Sequence, residues 1–233
     1  IWSVPEIEKG TPTCVAFSQD GRVIVPDTHY HRILVYSRDG ELTEQWGGTY
    51  GGGEDQFVYP TGIVEANDGT LYLSEYGENA ERVHVFDKDR RFLRQWGGFG
   101  EAPGMFNRAM AIQMAPDGTL CVADTGNHRI QRFDTQGKLL GVIGGPGIEP
   151  GQLKDPYDLA VAADGSIFAA EYGNNRVSRF AADGAFVSVY GGPGREPGQF
   201  YGPRGVTVSP AFQVYVADTD NHRIQRFPVE ALT

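Results

Sequence analysis

The sequence predicts an all-β protein, a β-propeller of four-stranded antiparallel blades. One observation is a repeat: arginines that open an alternating apolar stretch stand at Arg32, Arg82, Arg129, Arg176 and Arg223, separated by 50, 47, 47 and 47 residues. A repeat of about 40–50 residues is the period of propeller blades. A second observation is the content of 32 glycines and 14 prolines among 233 residues, which suits short strands joined by tight turns.

Each repeat reads as four strands, which we call a to d. The third repeat shows them clearly, with an apolar run, then Asp117-Gly118, TLCVAD, the loop TGNH, RIQRFD, Gln136-Gly137 and KLLGVIG. Asp-Gly between two alternating runs indicates a hairpin, because its tight turn needs positive φ at both central residues. The a–b turn carries the same dipeptide at Asp20-Gly21, Asp68-Gly69 and Asp164-Gly165.

An acidic residue and an arginine recur around every b–c loop. The acids stand at Asp27, Glu75, Asp124, Glu171 and Asp218. A motif present in every blade predicts a structural clasp between strands b and c, with a ring of acids around a cation as the alternative. His31, His128 and His222 share one repeat position, so we expect them to orient loops.

Two segments carry a family resemblance. ADTGNHRIQRF (123–133) and ADTDNHRIQRF (217–227) resemble the core of the NHL repeat, and the connectors PGQL (150–153) and PGQF (197–200) resemble those of the same family. The resemblance covers essentially the whole chain. It implies one domain over residues 1–233, with repeats at about 11–57, 58–106, 107–153, 154–200, and 201–233 plus 1–4.

The count of repeats predicts the number of blades, and the two ends of the chain predict how the ring closes. NHL domains usually have six blades, whereas this chain supplies five repeats, so we predict five; a six-bladed parent that lacks one repeat is the alternative. The last repeat stops before its strand d. Residues 1–4 resemble that strand, because Trp2 stands where Trp46 and Trp96 stand, and we expect them to complete the last blade.

The alternation of strand direction places the b–c loops and the blade-to-blade connectors on one face, which we predict to be the binding face. Positions where strands a begin differ between blades, and we expect them to surround a channel mouth. Arg108 and Arg204 suit a carboxylate or phosphate, and the alternative is that they pair with Asp158. The predicted binding residues are Arg108, Tyr157, Asp158, Arg204 and Thr61, together with His29, Tyr76 and Tyr172 of the b–c loops.

Charge narrows the classes of partner. The formal net charge of −10 opposes binding to nucleic acid and to anionic lipid. No apolar run approaches the length that spans a bilayer, so we expect no membrane span. We assign no catalytic residue, no metal ligand and no cofactor. The expected partner is a protein or a small anionic ligand, and the chain is expected to serve as a subunit or module of a larger assembly.

Three function classes follow from the resemblance and the residues. The first is a non-catalytic binding or scaffold module, which the resemblance to NHL propellers implies. The second is a metal-dependent propeller hydrolase or lyase of the lactonase type; a zinc lyase needs converging histidines, and the positions that begin strands a hold none. RNA binding is the third. The chain begins at Ile1 rather than Met, and we expect an upstream segment to have been removed, which favours export to the periplasm or cell exterior.

Overall fold

The structure is a computed structural model that describes residues 4, 5, 8, 10, 12–78 and 80–232. Within these residues the chain forms five consecutive antiparallel sheets, which are the blades of a five-bladed β-propeller. The predicted fold class and number of blades are confirmed. The chain divides into two compact units, residues 1–112 and residues 113–233, and we describe each unit by itself.

The first unit contains two complete blades. The first blade has the order β1 (Ala16–Phe17), β2 (Val23–Asp27), β3 (Arg32–Tyr36), β4 (Leu42–Gly47). The second has the order β5 (Tyr59–Glu65), β6 (Leu71–Tyr76), β7 (Arg82–Phe86), β8 (Phe92–Gly97). The first unit ends within β9 (Ala109–Met114), the first strand of the third blade.

The second unit continues the third blade with β10 (Leu120–Asp124), β11 (Arg129–Phe133) and β12 (Leu139–Gly144). The fourth blade consists of β13 (Pro156–Val161), β14 (Ile167–Glu171), β15 (Arg176–Phe180) and β16 (Phe186–Gly191). The fifth has β17 (Pro203–Val208), β18 (Gln213–Asp218) and β19 (Arg223–Pro228). The longest helix in the described part of the chain, Val229–Leu232, is far too short to cross a membrane.

The inner strands carry the core. All five residues of β2 and β3 are buried, whereas β4 alternates between exposed and half-buried residues. The burial on both faces arises because neighbouring blades pack face to face. One buried cluster joins residues of the first two blades: Ile24, Ile33, Val35, Phe57, Ile63, Leu71, Leu73 and Phe86. A second cluster in the other unit joins the fourth and fifth blades in the same way.

Each connector packs against the end of the strand d that it follows. The first glycine of each Gly-Gly pair ends strand d with positive φ, for example 78° at Gly47 and 90° at Gly191. A side chain at Gly47 would overlap the ring of Phe57, and one at Gly191 would overlap Phe200. The glycines therefore allow the first apolar side chain of the next blade to pack directly on the backbone.

The fifth blade has three strands among the described residues. Ile224 on its outer strand β19 is 67% exposed, while the equivalent Ile130 and Val177 of the third and fourth blades are 0% exposed. The strand that we predicted to complete this blade falls on residues 1–4, and residues 1–3 lie outside the described residues. The described Val4 packs against Val23, Val25, Leu34 and Tyr36 in the first unit.

The recurring acid and arginine form the predicted clasp. Each acid is the last or next-to-last residue of strand b. Its side chain is at most 1% exposed, and it receives a hydrogen bond from the arginine that opens strand c. The pairs are Asp27–Arg32 at 2.7 Å, Glu75–Arg82 at 2.5 Å, Asp124–Arg129 at 2.7 Å, Glu171–Arg176 at 2.8 Å and Asp218–Arg223 at 2.7 Å. The predicted pairing of strands b and c by an acid and an arginine is present in all five blades.

The clasp of a blade also binds the connector that leads into that blade. In three blades the buried acid also accepts a backbone N–H from the connector. The donor is the residue that follows the connector's buried apolar residue, and the pairs are Val58 to Glu75, Lys154 to Glu171 and Tyr201 to Asp218. Three of the clasp arginines donate to connector carbonyls; Arg223, for example, bonds Arg195 O at 2.7 Å. One buried carboxylate therefore ties two strands and a connector together.

Replacing a buried acid of the clasp should destabilise the protein strongly. Asp124 accepts hydrogen bonds from Asn127, Arg129 and Gln131. The NH2 group of an asparagine at this position would face these hydrogen-bond donors without being able to accept from them. We expect Asp124→Asn to lower the free energy of unfolding by about 3–5 kcal/mol in urea denaturation. The exposed Asp39→Asn is the control, with a change within about 0.5 kcal/mol. Equal effects of the two substitutions would contradict a structural role for the clasp.

Candidate functional site

In four of the five blades the b–c loop ends in a left-handed residue. His31, His128 and His222 occupy this position with φ of 57°, 56° and 53°. Nδ1 of His128 accepts the backbone N–H of Asp155 at 3.1 Å, which lies 27 residues further on. The prediction that these histidines orient loops is confirmed for His128.

Other residue types take the same role at the equivalent position. Asn175 accepts the N–H of Gly202 at 2.8 Å, and Glu81 accepts the N–H of Arg108 at 2.8 Å, both across 27 residues. The three donors, Arg108, Asp155 and Gly202, all have positive φ. The loop of one blade therefore fixes a left-handed turn in the connector that leads to the next.

This equivalence corrects the predicted position of Arg108. We expected Arg108 and Arg204 to stand at the same repeat position, at the beginning of strand a. Counting from the buried Phe106 and Phe200 shows that the residue equivalent to Arg204 is Met110, which is 5% exposed. Arg108 lies in the left-handed connector turn instead, with φ of 61°. The mistake arose because the second blade's b–c loop is two residues longer than the others.

Thr61 belongs to the packing of the first unit. It is 0% exposed, and its hydroxyl donates to the carbonyl of Ala109 at 2.7 Å and lies 3.2 Å from the hydroxyl of Ser74. A ligand on the surface would not reach it. We therefore leave Thr61 out of the candidate site, because its hydroxyl links β5 to β9.

Three of the predicted residues come together in the second unit. The guanidinium of Arg204 lies over the ring of Tyr172 at 4.9 Å and over that of Tyr157 at 5.4 Å, and the two rings are 6.1 Å apart. Arg204 is exposed, and both tyrosines are half-buried. We call these three residues the Arg204 clamp. Stacking on the rings fixes the guanidinium plane and leaves its N–H edges available.

Asp158 lies beside the clamp but is not paired with it. Its carboxylate accepts the N–H of Val206 at 2.9 Å and the N–H of Leu159 at 2.8 Å. Burial raises the pKa of Asp158 to about 6, and the two backbone hydrogen bonds oppose this rise only in part. Among the described residues no ion pair joins Arg204 to Asp158, so the pairing that we left open as an alternative is absent in this unit.

The remaining predicted residues lie in the first unit. Arg108 is exposed and its guanidinium lies over Tyr76 at 5.3 Å. His29 and Tyr76 line an open depression of about 450 Å³, together with His31 and Tyr59. The centroids of His29 and Tyr59 are 6.1 Å apart, and those of Tyr59 and Tyr76 are 5.3 Å apart. We call these four residues the aromatic depression.

Sequence reasoning missed Tyr59 and assigned His31 a purely structural role. A repeat signal was present for the predicted Tyr76 and Tyr172: the residue after the clasp acid alternates along the chain, with Asp-Thr in the first, third and fifth blades and Glu-Tyr in the second and fourth. This alternation marks Tyr76 and Tyr172 as equivalent residues, each beneath an arginine. Within the described residues no group of three or more His, Cys, Asp and Glu side chains is placed to hold a metal ion.

The blade order and the repeated clasp define a propeller built from one sequence repeat. A family model described as the NHL repeat matches residues 106–133 and 200–227, which include the clasps of the third and fifth blades. The chain is an NHL-repeat β-propeller, as the resemblance implied.

Relatives match parts of the chain. Peptidylglycine alpha-amidating monooxygenase of Rattus norvegicus is 31% identical over 131 residues, which are 52% of this chain and 13% of that protein. Protein brain tumor of Drosophila melanogaster is 28% identical over 87 residues, 37% of this chain and 8% of that protein. The chain thus spans less than a seventh of the length of either relative.

Solved structures show the same fold at low identity. A virginiamycin B lyase from Staphylococcus aureus, crystallised as a catalytically inactive variant with quinupristin, has a TM-score of 0.65 and 18% identity, covering 97% of this chain and 72% of that one. A protein from Bacteroides caccae has a TM-score of 0.72 and 13% identity, covering 99% and 82%. These likenesses concern the fold alone.

The raised pKa of Asp158 predicts a pH-dependent stability. The folded protein binds this proton more tightly than the unfolded chain, where the ordinary pKa is 3.8, so the stabilisation is present below about pH 4 and lost as the pH rises through about 6. Relative to Asp158→Asn, we expect the wild type to lose on the order of 2 kcal/mol of unfolding free energy across this range. Parallel urea titrations at several pH values measure it, and a constant difference would contradict the prediction.

Proposed function

We propose that this chain is a non-catalytic binding module that recognises a partner protein through its b–c loops and connectors. The observation that carries the proposal is the Arg204 clamp, in which an exposed guanidinium is held over two tyrosine rings. Arginine and tyrosine are among the residue types that contribute most to binding energy at protein interfaces.

The clamp suits a carboxylate on the partner. A guanidinium presents its N–H groups as a planar fork that matches the two oxygens of a carboxylate. The rings hold the side chain of Arg204 before the ligand arrives, so less conformational entropy is lost on binding. In the described residues Arg204 has no ion pair with an acid of the chain itself. Its charge therefore remains available to an acidic side chain of a partner.

The surrounding charge adds selectivity. The chain has a formal net charge of −10, so a highly acidic partner is repelled at long range while a single carboxylate can still be bound at close range. The expected ligand is thus a segment with one or two acidic residues among apolar or aromatic residues, rather than a polyanion. The same charge argues against a nucleic-acid partner.

Selection from a displayed peptide library tests this proposal without knowledge of the natural partner. We expect peptides selected on the wild-type protein to be enriched in Asp or Glu, and their affinity to fall by about tenfold or more on Arg204→Gln. Arg204→Lys retains the charge without the planar fork and should recover only part of the affinity. Because Arg204 is exposed, its replacement should leave the melting temperature unchanged.

Two results would overturn the proposal. Selected peptides that lack acids, or that bind Arg204→Gln as well as the wild type, would show that the clamp does not recognise a carboxylate. Asp39→Asn serves as the control for a change of one charge at the surface, since Asp39 is an exposed residue of an Asp-Gly turn in the first unit. Its substitution should leave peptide binding intact.

A further inference from the structure

The junction between the first two blades departs from the rule that the other junctions follow. Elsewhere a left-handed connector residue donates its N–H to the preceding b–c loop, as Asp155 does to His128. At the first junction the equivalent residue, Tyr59, already belongs to strand β5. The carbonyl of Val58, rather than an N–H, faces Nδ1 of His31.

The reversed peptide reverses the hydrogen-bond role of Nδ1 of His31. A carbonyl oxygen can only accept a hydrogen bond, so Nδ1 of His31 donates to the carbonyl of Val58. In the third blade the roles are opposite, because Nδ1 of His128 accepts from Asp155. Nδ1 at this repeat position thus donates where the chain forms the aromatic depression and accepts in the third blade.

Two further departures from the repeat lie in the b–c loop of the first blade. His29 stands where the third and fourth blades have Gly126 and Gly173, and Tyr30 stands where they have an asparagine that bonds the clasp acid. Space for the His29 ring depends on Gly10, because any side chain at Gly10 would overlap it. Departures from a repeat that each need a local accommodation are typical of functional sites.

These departures produce the aromatic depression. Tyr59 pairs directly with Tyr76 across the sheet, and their rings are tilted by 33° at 5.3 Å. The ring of His31 lies 5.7 Å from Tyr59 and 5.0 Å from Tyr50. The resulting walls consist of ring faces and edges around about 450 Å³, which is the size of a small-molecule site. Such walls favour a planar aromatic body.

Arg108 adds a positive charge at the edge of the depression. Its backbone is fixed by the hydrogen bond to Glu81, and its guanidinium lies over the ring of Tyr76. No carboxylate in the described part of the chain forms an ion pair with the Arg108 side chain. The clasp arginines, by contrast, are each committed to a buried acid.

We propose that the aromatic depression binds a small aromatic carboxylate, with the ring between Tyr59, Tyr76 and the histidines and the carboxylate on Arg108. This site goes beyond the proposed function, which the Arg204 clamp carries in the other unit. The two sites share no residue, so each can fail without the other.

Titration with matched probes tests the site. The probes are 2-naphthoate, the neutral 2-naphthylmethanol and acetate, followed by isothermal calorimetry and by protein NMR of the histidine and tyrosine side chains. We expect 2-naphthoate to bind about tenfold more tightly than 2-naphthylmethanol, and acetate to show no saturable binding. Resonances of His29, His31, Tyr59 and Tyr76 should shift on titration.

Protein variants test the contacts to the carboxylate and to the aromatic ring of the ligand separately. Arg108→Gln should reduce 2-naphthoate affinity to that of 2-naphthylmethanol, because only the ion pair is lost. Tyr59→Leu should weaken both naphthyl compounds, and Gly10→Ala should do the same by displacing His29. Arg91→Gln is the matched control, because Arg91 is an exposed arginine of the turn before β8 in the same unit, and it should leave naphthoate binding unchanged.

Several outcomes would overturn the inference. Binding of acetate as tight as that of 2-naphthoate would show a general anion site only, and equal binding of the two naphthyl compounds would remove the role of Arg108. Absence of naphthoate binding to the folded wild type, or its loss in Arg91→Gln rather than Arg108→Gln, would also refute the site. Arg108→Gln keeps the proposal testable if Tyr59→Leu does not fold, since Arg108 is an exposed side chain.

Discussion

A carboxylate buried at the end of the second strand of every blade is the interaction on which the structure depends. Burying a charge is costly unless hydrogen bonds and an opposite charge compensate it. Here the arginine of the third strand supplies the charge, and in three blades a backbone N–H of the incoming connector supplies a further bond, as Val58 does for Glu75. The acid thus couples the hairpin of one blade to the chain that arrives from the blade before.

The NHL signature has a direct physical meaning in this arrangement. Asn221 bonds both oxygens of the clasp acid Asp218 and the carbonyl of Gly194 in the preceding connector. His128, one position further along its own loop, holds the connector that follows. Asparagine and histidine therefore fasten a blade to the connectors on both sides, and the apolar residue after the arginine enters the core, as Ile130 does.

Where a blade departs from this pattern, its side chains become available for other contacts. In the first blade Tyr30 and Leu34 replace the residues that would complete the clasp, and Oδ1 of Asp27 has no hydrogen-bond partner among the described residues. The same loop contributes His29 and His31 to the aromatic depression. The first blade thus keeps the Asp27–Arg32 pair, and its loop residues contribute to the aromatic depression instead of completing the clasp.

The sequence by itself determined the blades, because the 47-residue step, the Asp-Gly turns and the alternating strands are local signals that do not depend on distant contacts. It also identified the clasp and the equivalent histidines, since each recurs at a constant spacing. Only the tertiary structure decided that Arg108 lies in a connector turn while Met110 begins the strand, that Thr61 is buried, and that Tyr59 joins His29 and Tyr76. The position of Arg108 depends on an insertion of two residues, the contacts of Tyr59 on the direction of one peptide group, and the burial of Thr61 on its packing against β9. None of these changes the repeat spacing by more than a few residues.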